Sequence, residues 1–111
     1  MPPIPPKVEV SPRELRERFN RGNYVTRVAA GELTARTLKD GHPSPPRAGL
    51  PICTRSQSIA YLDAKGDEVA MVHQYLKPDG SLGGSGRPDP KRLLVDGILY
   101  IAWWEPRGGN M

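Results

Sequence analysis

Hydrophobic positions are unevenly spread along the chain. Twelve of the 23 Leu, Ile, Val and Phe residues fall between Ile59 and Trp104, together with Tyr61, Met71, Tyr75, Tyr100 and Trp103. Apolar residues before Ile59 come singly or in short stripes, so the stable part of the fold is expected in the second half. Residues 58–62 and 69–76 flank Asp63-Ala64-Lys65-Gly66-Asp67, which has the composition of a five-residue hairpin loop. On the second of these strands Val69, Met71, His73 and Tyr75 share one face and Ala70, Val72, Gln74 and Leu76 the other. Both faces are largely apolar, which predicts a central strand or one covered on both sides.

Ser11-Pro12-Arg13-Glu14 has the form of a capping box with proline at N1, and Val10 and Leu15 have hydrophobic-staple spacing. They predict a helix over 12–20 whose apolar stripe is Leu15 and Phe19, ended by Arg21-Gly22-Asn23. Glu14 with Arg18 and Glu17 with Arg21 are i,i+4 pairs in the favoured order. Residues 24–38 fit neither a 2.0 nor a 3.6 period. They are read as a weak hairpin turning near Gly31, with a helix over 32–38 as the alternative. Six Pro and Gly residues between 40 and 51 predict a long surface loop. Pro78-Asp79-Gly80 is turn chemistry. Asp89 followed by Pro90 has the look of an N-cap opening a short helix over 90–95, stopped by Gly97, and 98–104 follows as an apolar strand.

The fold class expected is therefore α+β: a small, mostly antiparallel sheet of four to five strands, with an N-terminal helix and a short helix before the last strand. A proline-rich extended arm (1–10) precedes one domain (11–105) that carries the loop at 40–51, and 106–111 form a flexible tail. At 111 residues a second hydrophobic core is not expected. The four prolines among the first six residues argue against a secretory signal, and the longest apolar run falls well short of the roughly 20 residues of a membrane helix. The single Cys53 has no disulfide partner within the chain. Together these point to a cytoplasmic protein that does not contact membrane. No cofactor motif is present, and His42, His73 and Cys53 lack metal-ligand spacing.

Charge changes the picture most when divided. The chain carries a formal net charge of +4. Residues 1–55 hold ten Lys and Arg against five Asp and Glu, whereas 56–111 hold six against seven. A basic half suits a polyanion, so RNA or DNA are the candidate partners. Arg16, with its neighbours on the first helix, is a candidate phosphate contact. Gly84, Ser85 and Gly86 leading into an Asp89-capped helix would present amides and a dipole end to an anion, with Arg55, Arg87 and Lys91 supplying charge. The spacing matches neither the Walker A nor the Rossmann pattern. A protein partner could instead engage the proline-rich arm or the adjacent Trp103 and Trp104, which point to opposite faces of their strand.

His73 is the one candidate for acid–base chemistry, and a metal-independent ribonuclease would need such a group beside a cation. A helix followed by an antiparallel sheet with basic loops resembles small bacterial ribonuclease and toxin domains in architecture alone. Cys53 is expected to be buried or inert, and His42 solvated. The sequence favours a small basic nucleic-acid-binding protein without a clear catalytic signature. A ribonuclease using His73 and a protein-interaction module are the alternatives, and whether the chain is an enzyme is left open.

Overall fold

The computed structural model describes residues 4–43, 49–84 and 86–102. The fold is α+β. Its elements in chain order are β1 (Lys7–Val10), α1 (Pro12–Arg21), α2 (Tyr24–Ala29), β2 (Thr34–Pro43), β3 (Arg55–Leu62), β4 (Glu68–Leu76), β5 (Asp89–Val95) and β6 (Ile98–Ala102). The six strands form one sheet in the order β1-β6-β5-β4-β3-β2. β1 runs parallel to β6, and every other neighbouring pair is antiparallel. The sheet is thus larger than the four to five strands expected, and mixed. The extra strand at one edge is Lys7–Val10, the end of the proline-rich stretch, which pairs with Leu99 to Ala102.

α1 forms as its sequence dictates. Ser11 Oγ accepts from the Glu14 amide at 3.1 Å, Pro12 occupies the first turn and Glu14 is bonded to Arg18 at 2.9 Å. Glu17 pairs with Arg13 rather than with Arg21. Residues 24–38 are neither the expected hairpin nor a helix over 32–38. Asn23 turns left-handed at φ 54, which lets a second short helix start at once, and β2 begins at Thr34. The deciding contact is aromatic: Tyr24 is buried with its ring stacked on Phe19 at 5.4 Å, and Arg27 lies over Tyr24 while bonding Glu32 at 2.7 Å. β2 takes in residues 40–43 of the stretch expected as a loop, and residues 44–48 lie outside the described residues. Two irregularities, between Thr37 and Lys39 and between Lys39 and His42, accommodate Gly41 at φ 98.

The largest correction concerns residues 90–95. Asp89–Val95 is a strand, joined to β6 by the two-residue turn Asp96-Gly97 with φ of 50 and 77. Both turn residues take the positive φ that a type I′ hairpin needs. Asp89-Pro90 mimics a helix cap, but the apolar residues on both sides of the turn pair as a hairpin, which buries more surface than a single-turn helix. The hairpin expected over 58–76 forms with its loop at 63–67, where Asp63 Oδ1 accepts from the amides of Lys65 and Asp67.

Strand register sorts side chains by face. Ile59, Tyr61, Ala70, Val72 and Leu93 point toward the helices and, with Leu15, Phe19, Tyr24 and Leu33, make the core. Leu15, Val72 and Leu93 are completely buried. Ser56, Ser58, Ala60, Met71, His73, Tyr75, Arg92 and Ile101 point the other way, where no described helix packs. No helix among the described residues is long and apolar enough to cross a membrane.

Candidate functional site

The uncovered sheet face carries a slot beside a local irregularity of β5. Pairing of β4 with β5 runs His73 to Asp89, Val72 to Pro90 and then Met71 to Arg92, so Lys91 is an extra residue that bulges out of β5. Among the described residues β5 pairs with β6 from Arg92 opposite Ile101 to Val95 opposite Ile98, and β1 follows β6 as far as Ala102. Beside the bulge lies a cavity of about 530 Å³. Pro12, Met71, Pro90, Ile101 and Ala102 give it apolar walls. Ser58, His73, Asp89, Lys91 and Arg92 supply its polar groups.

His73 lines the slot half-buried. Its Nε2 is 2.6 Å from Ser56 Oγ, and its ring meets Tyr75 edge-on with centroids 4.8 Å apart. Burial and, secondarily, the Lys91 ammonium hold the imidazole below its ordinary pKa, and Asp89 partly opposes them. The side chain is consequently neutral near pH 7. Asp89 collects two cations: Lys91 Nζ at 3.1 Å and Arg16, reaching from α1, at 3.9 Å. Arg92 is held by Glu68 through two bonds of 2.6 and 3.1 Å, which raise its pKa.

Of the residues the sequence singles out, His73 and Lys91 line this cavity, and Arg16 reaches Asp89 on its wall. Arg55 is not. It alternates onto the helix side of β3, opposite Leu76, and bonds Asp40 at 3.2 Å. Gly86 and Arg87 line a separate groove on the helix side with Val25, Val28, Gln74 and Leu76, and Gly84 is exposed. The proposed dipole site at Gly84 to Gly86 loses its basis because the segment beyond it is a strand, which carries little net dipole. The loop is instead a connector bound to the sheet end, with the Gly83 amide donating to the Tyr75 carbonyl at 2.8 Å. Cys53, expected to be buried or inert, is exposed and takes φ 74 in the turn at 51–54. Ser85, Trp103, Trp104 and the tail at 106–111 lie outside the described residues. Among the described residues no cluster of three or more metal-ligating side chains occurs.

Sequence reasoning missed Ser56, Ser58 and Asp89 as neighbours of His73. The five-residue loop at 63–67 carries the signal for the serines, since it sets the register that places Ser58 directly opposite His73. Asp89 was hidden by its resemblance to a helix cap. No protein-family model matches this chain, and neither curated proteins nor solved structures yield a match.

Proposed function

We propose that this protein binds single-stranded nucleic acid across its uncovered sheet face. The observation that carries the reading is that His73, Lys91 and Arg92 line one slot, whose Asp89 Arg16 approaches to 3.9 Å from α1, on a face that also bears Tyr75. Unpaired strands are held by cations along the backbone and by ring or apolar surfaces against the bases. The basic first half of the chain adds a general attraction for phosphates. Fluorescence anisotropy with labelled single-stranded RNA and DNA at low salt tests the reading. Saturable binding is expected, and no binding to either would refute it.

A metal-independent ribonuclease is the second reading, favoured by His73 and Lys91 lining the same cavity. A neutral imidazole can take the proton of a ribose hydroxyl while a cation meets the developing phosphorane charge. Lys91 replaces Arg55 and Arg87 as the cation in that scheme. Incubating RNA with the protein in EDTA, with His73→Ala as comparison, checks it. Cleavage lost in the variant is the expected result for this reading; equal cleavage by both removes His73 from any mechanism.

A further inference from the structure

We infer that the slot beside the β5 bulge takes a single unpaired nucleobase and prefers bases that carry an exocyclic amine. The inference rests on the reading of the sheet face as a nucleic-acid surface and adds which part of the strand enters, and why.

The slot lies beside the Lys91 bulge of β5, so a feature of the strand register places Asp89, Pro90, Lys91 and Arg92 on its wall. Its volume of about 530 Å³ lies within the range of small-ligand pockets. Met71, Pro12 and Ile101 offer apolar surface of the kind a ring's faces contact. The polar groups are few and of distinct types, which suits a ligand read along one edge rather than a phosphate alone. Ser58 has a hydroxyl that donates and accepts. His73 is fixed between Ser56 and Tyr75.

Asp89 decides the specificity. Its carboxylate only accepts, and it lines the slot with Lys91 at 3.1 Å and Arg16 at 3.9 Å from its oxygens. Adenine, cytosine and guanine each carry an amine that donates to such a group. Uracil and thymine offer carbonyl oxygens in its place, which a carboxylate repels. The same two cations stand where the phosphate attached to an inserted base can meet positive charge, so base and phosphate are met by one cluster.

The test uses the whole protein, ¹⁵N-labelled, titrated with AMP, CMP, GMP, UMP and IMP while amide shifts are followed. IMP differs from GMP only in lacking the 2-amino group. Shifts at Ser58, His73 and Lys91 are expected, with GMP binding about tenfold tighter than IMP, and AMP and CMP similarly tighter than UMP, as one hydrogen-bonded edge is worth. Asp89→Ala should bring GMP down to the level of IMP; because the wild-type comparison stands alone, a poorly folding variant does not remove the test. The deoxy forms separate ring recognition from sugar recognition and should bind equally. Five nucleotides of equal affinity, or shifts confined to the Arg87 groove, overturn the inference. If oligonucleotides bind while mononucleotides behave in that way, only the base slot falls; if oligonucleotides also fail to bind, the functional reading falls with it.

Discussion

His73 shows how a strand position becomes a titrating one. Alternation turns it away from the core that buries Val72 beside it, yet Ser56, Tyr75 and the bulged Lys91 close around the ring. Its folded pKa lies below the ordinary imidazole value, so below about pH 6.5 the unfolded chain binds a proton that the folded one resists. Its contribution to stability is complete above that value and is lost as the pH falls through the depressed folded one. Urea midpoints measured from pH 7.5 to 5 should fall for the native chain, and His73→Gln should flatten the fall. Parallel profiles for the two proteins would show that the imidazole is not strained in this way. The neighbours that set this environment were only partly legible in sequence. Ser58 follows from the hairpin register, whereas Asp89 and Lys91 come from a segment that reads as a helix, and Arg16 reaches Asp89 through tertiary packing that no local pattern encodes.

Among the elements, β5 with its Lys91 bulge supplies four of the residues that line the slot. Strong local signals at Ser11 and at the 63–67 loop gave the right elements because capping and turn chemistry there agree with the apolar pattern on either side. At Asp89-Pro90 two signals conflict: a helix cap at one end and an Asp96-Gly97 hairpin turn at the other. The turn wins because Leu93 gains complete burial under α1 as a strand residue. Lys7–Val10 was illegible for a related reason, since a four-residue strand beside prolines acquires its partner, β6, from the far end of the chain. Gly97 should therefore resist replacement. Gly97→Ala places a side chain at φ 77 and should lower stability by about 1 kcal/mol, with Gly97→Asn less harmful, as thermal denaturation would record. An unchanged melting temperature in Gly97→Ala would argue against the type I′ turn.

At the scale of the whole molecule, the two helices and the core occupy one side of the sheet, and the candidate chemistry gathers on the other, with Arg16 reaching its Asp89 from α1. This division separates stability from recognition: Leu15, Phe19 and Leu93 hold the fold, while His73, Asp89 and Lys91 are displayed on a rigid surface with no core duty. Net charge, read from composition, pointed to a polyanion but not to a face. Arg55 and Arg87 were the natural choices by sequence, and both lie with the helices. If the uncovered face is the binding surface, cations there must dominate the dependence of affinity on salt. The most direct measurement is the slope of log affinity against log salt for a single-stranded oligonucleotide, compared among the native protein, an Arg16→Ala/Lys91→Ala variant and an Arg13→Ala/Arg21→Ala control on the exposed side of α1. Removal of Arg16 and Lys91 should flatten the slope by roughly one to two, at about 0.7 per phosphate contact on a single strand, with the control close to native. A slope that changes only in the control, or in neither variant, would contradict the assignment of this face.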